Sequence, residues 1–142
     1  MTILAAVDGS AASLHAVAYA ISLLRRGAGG DIVLVNVQGP ETLDVSDVSA
    51  VISVAADREQ AAKQAQDALA TAIALCRKAG IAFTARSEIG PVAETIVRLA
   101  REVGAEQIVM GTRGFGALGR LVHGSIASEV VRLAEVPVTL VK

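Results

Sequence analysis

The residues with the clearest chemical meaning lie between Met110 and Ser125, MGTRGFGALGRLVHGS, where five glycines occupy sixteen positions behind an apolar run. Gly114 to Gly119, GFGALG, fits the dinucleotide pattern G-x-G-x-x-G. That pattern belongs in the first strand-to-helix turn, opens a helix directly and has an acidic residue about twenty positions later. Here it follows a late strand, runs into Arg120-Leu121-Val122-His123-Gly124, and has Thr139 where the acid should stand. A P-loop fails as well, because it needs a lysine beside its last glycine, and the lysines are Lys63, Lys78 and Lys142. A wider frame fits better: Gly111-x-x-Gly114, nine residues, then Gly124-Ser125. Gly111 ends a strand, Gly114 turns the chain, and Gly124-Ser125 stands where the last helix begins. A helix N-terminus offers unpaired N–H groups and the positive end of the dipole, which together suit phosphate. Glycine lets backbone amides approach a ligand without a Cβ in the way. The same residues also fit a tight loop with Ser125 as an N-cap, and spacing alone leaves both readings open.

Groups able to run a reaction are few. His123 stands beside the glycine loop and is the best candidate base, though a loop side chain explains it equally. His15 falls inside the first helix, between Leu14 and Ala16. Cys76, the single cysteine, sits near the apolar face of a helix, which favours a buried, inert thiol. Ser10 has no His or Asp at a spacing that reads as a nucleophilic triad.

The elements that must position these residues alternate regularly. Residues 3–7 and 32–37 are short apolar runs, as expected of buried strands, and 107–110 and 136–141 read as a fourth and a fifth strand. Residues 81–89 alternate, with Ile81, Phe83, Ala85 and Ile89 on one face and Thr84, Arg86 and Glu88 on the other, the pattern of an edge strand. Helices are expected over 11–26, capped by Ser10, over 57–79, from Pro91 to Gly104, and over 125–134. Strands alternating with helices imply a parallel sheet covered on both sides. The fold class is therefore α/β, a flavodoxin/Rossmann-like three-layer sandwich. Its five-stranded parallel sheet takes the order 3-2-1-4-5 or the close variant 2-1-3-4-5, with four helices. Ligands bind such sheets beyond the strands' carboxyl ends, where the strand order reverses next to strand 1. Asp8 and Gly111 both lie at that end. Residues 39–56 are long for a connection and carry Val45, Val48, Val51, Ile52 and Val54. An early start to the second helix or a lid over the pocket would each account for them.

The totals exclude several functions. The chain has 142 residues, expected to form one domain over 1–142, with 53% hydrophobic residues and a net charge of −1. A pI near 6.1 and mean hydropathy of +0.55 argue against a basic nucleic-acid face and for a globular core. Tyr19, Phe83 and Phe115 are the aromatics, too few for base stacking on single strands. No apolar run reaches the ~18 residues of a membrane span. The start, MTILAAVDGS, lacks a basic leader and enters a strand pattern. A soluble cytoplasmic protein is the simplest expectation, with no nucleic acid and no membrane among its partners.

The spacing G-2x-G-9x-G-[ST] behind a strand resembles the ATP-binding motif of the universal stress protein family. The likeness extends over the whole chain: ILAAVDGS is similar to that family's first strand and its Asp, and IVLVNV to its second. AEQIVMGTRGFGALGRLVHGSIASEVVRLAEVPVTLVK is similar to its most typical stretch nearly position for position. The resemblance implies ATP bound between the ends of strands 1 and 4. Asp8 would contact the ribose or a metal, Mg²⁺ being the natural companion of ATP. Ala6 and Val7 would line the adenine side, Val37 would pack on the base, and Met110 and Gly111 would border base and ribose. Gly114, Gly124, Ser125 and the amide of Ile126 would hold phosphates. Arg113 and Arg120 carry the charge for phosphate oxygens, which is also the charge of a solvated loop. The resemblance further implies a homodimer through strand 5, Val136 to Val141. That strand is an apolar edge that pairing would cover. The expected function is a nucleotide-dependent regulatory module in the stress response, not an enzyme, with slow ATP hydrolysis at most. A scaffold of the same fold that ignores nucleotide, and a true enzyme acting through His123 or Asp8, are the alternatives.

Overall fold

The computed structural model describes residues 1–39, 54–112 and 124–142. Among them the chain runs β1 (Thr2–Ala6), α1 (Ala11–Arg26), β2 (Asp31–Gln38), α2 (Val54–Ala79), β3 (Ala82–Ile89), α3 (Val92–Glu102), β4 (Gln107–Gly111), α4 (Ser125–Leu133) and β5 (Val138–Val141). The five strands form one sheet in the order β3-β2-β1-β4-β5, and every adjacent pair is parallel. The expected architecture and strand order therefore stand, in the 3-2-1-4-5 variant.

Alternation along each strand divides the core into two layers. Ile3, Ala5 and Val7 face α1 and α2 together with Ile32, Leu34 and Val109. Leu4 and Ala6 face α3 and α4 together with Val33, Val35, Val37, Ile108 and Met110. The central strands are buried on both sides, which is why their sequences read as unbroken apolar runs.

Local chemistry sets the helix ends. Ser10 caps α1 by accepting the Ser13 amide at 3.1 Å. Gly80 (φ +69) and Gly104 (φ +66) end α2 and α3 in left-handed turns. Behind them the Ile81 amide reaches back to Cys76 O and the Ala105 amide to Ala100 O, closing the last carbonyls of each helix.

Several boundaries differ from expectation. β5 begins at Val138, not Val136: Pro137 has no N–H for the ladder, and only its carbonyl takes part, accepting from Ile108. α2 already runs at Val54, three residues before Asp57, so the helix absorbs the end of the 39–56 segment. Residues 40–53 lie outside the described residues. β3 is an edge, as its alternation implied, but Ile89 is 87% exposed and Ala85 is exposed too. The face expected to be apolar is not buried to its end, whereas Arg86 and Glu88, paired at 2.8 Å, are partly covered on the other. Among the described residues no helix is long and apolar enough to cross a membrane.

Candidate functional site

At the carboxyl end of the sheet, the β1–α1 turn is built by side-chain hydrogen bonds. Asp8 Oδ1 accepts the Ser10 amide at 2.9 Å. Ser13, fully buried, donates its hydroxyl to Ser10 O at 2.9 Å and accepts the Asp8 amide at 3.3 Å. These bonds lock the turn and use one Asp8 oxygen. The other, Oδ2, is buried and has no hydrogen-bond partner. A buried carboxylate oxygen in that condition calls for a donor or a cation.

The β4–α4 connection meets the same end of the sheet through glycines. Gly124 is the N-cap of α4 at φ +79, the left-handed region that favours glycine. Ser125 is thus the first helical residue and not the cap, which removes the N-cap reading of it. The first turn of α4 carries no acidic side chain of its own that would offset the positive end of the helix dipole. A Cβ on Gly124 would lie 4.0 Å from Thr112 O, so the two ends of the connection lie side by side. Thr112 is anchored in turn by its amide on Val141 O.

Gly111 has a different reason to be glycine. It is buried, and a Cβ there would stand 2.8 Å from the Ala12 carbonyl carbon and 2.9 Å from both Ala12 Cβ and Ser13 N. Its lack of a side chain lets the first turn of α1 seat against the end of β4. The expectation that these glycines bare their amides to a ligand is thereby modified: at Gly111 the close neighbour is α1. Gly9 (φ +86) plays a similar part toward α2, its Cβ position being 3.3 Å from Ala68 Cβ.

The remaining expected site residues fall into three groups. Ala6, Val37, Met110 and Ile126 come together in the α3/α4 layer, all but fully buried. Val7 is as buried but faces the opposite layer, so its side chain and that of Ala6 do not share a wall. Arg113, Gly114, Arg120 and His123 lie outside the described residues.

A cleft of about 340 Å³ opens between the β1–α1 turn and α2, lined by Asp8, Gly9, Leu14, Gln64, Asp67, Ala68 and Thr71. The α2 residues were missed in the sequence reading. Their positions, 64, 67, 68 and 71, follow the i, i+3, i+4, i+7 spacing of one helix face, a signal that was present but ambiguous in so alanine-rich a helix. Asn36 and Gln38 were missed too. Asn36 is 2% exposed; its Nδ2 donates to Val7 O at 2.7 Å and its Oδ1 accepts from Gln38 Nε2 at 2.8 Å. The signal was one polar residue in the run IVLVNV.

Two residues set aside on sequence grounds stay aside. His15 is exposed, with Nδ1 3.0 Å from Lys142 O. Cys76 is wholly buried and burial pushes its thiol pKa up, away from the reactive thiolate. Among the described residues no three His, Cys, Asp or Glu side chains group as metal ligands.

Comparison with known proteins bears on this arrangement. The model of the Universal stress protein family matches residues 1–142. A universal stress protein of Methanocaldococcus jannaschii is 29% identical over 141 residues, covering 95% of this chain and 78% of its own. One of Mycolicibacterium smegmatis is 31% identical over 98% of this chain, which spans about half (47%) of that relative's length. Among solved structures, a universal stress protein in complex with cAMP is 25% identical, with a TM-score of 0.72 over 100% of this chain and 97% of that one. With the whole length matched by the family model and the sheet order as observed, the chain belongs to the universal stress protein family.

Proposed function

We propose that the chain binds an adenine nucleotide, ATP with Mg²⁺, at the carboxyl ends of β1 and β4, and that occupancy regulates a homodimer and not a fast reaction. The observation that carries this reading is the buried, partnerless Oδ2 of Asp8. It lies at the same end of the sheet as the glycine-opened N-terminus of α4. A nucleotide answers both demands at once. A ribose hydroxyl, or water on Mg²⁺, supplies the donor or cation for Asp8. Phosphate oxygens meet the α4 amides at Gly124, Ser125 and Ile126, with Gly114 and Arg113 on the intervening loop. Mg²⁺ usually keeps several waters and needs only one or two carboxylates beside the phosphates, so Asp8 suffices as a protein ligand. Ala6, Val37 and Met110 provide an apolar floor next to Gly111 for the base. The cAMP bound by the relative at 25% identity supports the adenine class.

The site is read as one for binding, with slow hydrolysis at most; His123, the candidate base, lies outside the described residues. Dimerisation through β5 is supported by its edge position and by Leu140, 41% exposed on it. Native mass spectrometry with and without Mg·ATP tests the whole reading. A dimer carrying one adenine nucleotide per chain, reduced to an empty dimer by Gly124→Asp, is the expected result. A protein that ignores millimolar ATP and cAMP alike would overturn it in favour of a scaffold.

A further inference from the structure

Only three polar side chains are buried among the described residues, Ser13, Asn36 and Thr95, and Asn36 is the one that interrupts a core strand. It lies between Val35 and Val37 in β2 and, by the alternation of the strand, on the same face as Ile32 and Leu34. An aliphatic residue would fill that layer with no desolvation to offset. What Asn36 does instead is specific. The Val7 amide donates to Val35 O at 2.8 Å through the main chain. The Val7 carbonyl is held from β2 as well, by Asn36 Nδ2 at 2.7 Å. A carbonyl can only accept, so the amide nitrogen must face it, and the Asn36 oxygen is left for Gln38 Nε2 at 2.8 Å. The Val7 carbonyl belongs to the peptide unit that leads into Asp8, whose own amide is held by Ser13 Oγ.

We propose that Asn36 is a positioning residue for the nucleotide site: it fixes the Val7–Asp8 peptide plane, and through it the Asp8 carboxylate, so that Oδ2 faces the ligand. The inference rests on the nucleotide reading given above. Asn36 does not touch the ligand; it works through Asp8, as the Gln38–Asn36–Val7 chain of bonds requires.

Asn36→Asp provides the test, because aspartate is isosteric and its protonation state decides what it can do. As a carboxylate it has no donor for Val7 O. As a neutral acid it has an O–H for Val7 O and a C=O for Gln38, the same pair of bonds that asparagine makes. The measurement is Mg·ATP affinity by calorimetry for wild type and Asn36→Asp from pH 8 to pH 5, with amide hydrogen exchange across residues 8–13. Asp8 and Asp67, the carboxylates near the cleft, are common to both proteins, so the ratio of the two affinities isolates position 36. At pH 8 the variant is expected to bind roughly tenfold more weakly, the loss of about one hydrogen bond, and to exchange faster at Gly9 and Ser10. Toward pH 5 the ratio should return to about one as the buried acid takes up its proton.

Equal affinity at every pH overturns the inference while leaving the nucleotide reading intact. So does a deficit that persists at pH 5 in a protein with native circular dichroism. Failure of the wild type to bind ATP overturns both. Should Asn36→Asp not fold, Gln38→Leu at the half-buried end of β2 keeps Asn36 but removes the bond that orients it. A few-fold weakening with faster exchange at residues 8–13 is then expected, and wild-type behaviour in both would reject the role.

Discussion

The β1–α1 turn and the ends of the β4–α4 connection flank the same end of the sheet, yet they are made of different materials. The first is written in side chains: Asp8, Ser10 and Ser13 bond one another and leave one carboxylate oxygen over. The second is written in absent side chains: Gly111 makes room for α1, and Gly124 takes up a left-handed conformation beside Thr112. The difference teaches that two glycines of one motif do separate jobs. Gly111 is glycine because of what surrounds it, Gly124 because of how its backbone bends.

Substitution can pull that comparison apart. Gly111→Ala is expected to have the largest effect. Its new Cβ would meet backbone atoms of Ala12 and Ser13 at 2.8–2.9 Å, and overpacking against main chain costs about 3 kcal/mol. A thermal melt should show a drop of roughly 5–10 °C, and an unchanged melting temperature would mean that α1 yields easily. Gly124→Asp should behave differently. The described atom nearest its Cβ position is Thr112 O at 4.0 Å, an ordinary contact, so the positive φ is the main strain, at about 1 kcal/mol. The new charge at the dipole's positive end competes with phosphate, so ATP binding should be lost from a protein that remains folded. If both variants lose stability alike, the distinction between packing and conformation fails.

On the side-chain half, Ser10→Ala removes the α1 cap and should lower stability by about 1 kcal/mol, read from denaturant midpoints at constant slope. Its effect on nucleotide binding should be small unless the turn itself loosens.

Away from the site, Cys76 is raised by burial. The folded protein therefore favours the neutral thiol, and its contribution is fully present below the unfolded thiol's pKa of about 8.5 and is lost as pH rises toward the folded value. Native protein should resist thiol reagents at pH 8 and react only on unfolding; rapid labelling would contradict the burial. The smallest effect belongs to Glu129, which the bond from Arg132 holds below the usual carboxylate range. Any help from this exposed pair is present above the unfolded glutamate's pKa and disappears as pH falls through the lower folded value. An NMR titration should show the low midpoint, and added salt should move it back toward that of a free glutamate.

Much of this was legible in the residues. Ser10 was recognised as a cap because a hydroxyl before a helical run has few other uses. The edge character of β3 showed in its alternation, although Ile89 betrays the limit of that signal: alternation says which residues share a face, not how far the covering helices reach. Asn36 and the α2 face of the cleft were not read, for a common reason. One polar residue in an apolar strand and four positions on an alanine-rich helix acquire meaning only when a partner is set against them. Asn36 needs Val7, which is 29 residues away along the chain.

The amino-acid order by itself determined the alternation of strands and helices, the parallel sheet and the glycine ends of the helices. Those properties follow from local preferences and from periodicity, which act within a few residues. Only the tertiary structure decided that Gly111 makes room for the backbone of α1, that Asn36 is set against the Val7 carbonyl, and that Asp8 retains a buried oxygen with no partner. Each depends on atoms brought together by strand pairing and by the packing of helices on the sheet, at separations over which no local preference acts.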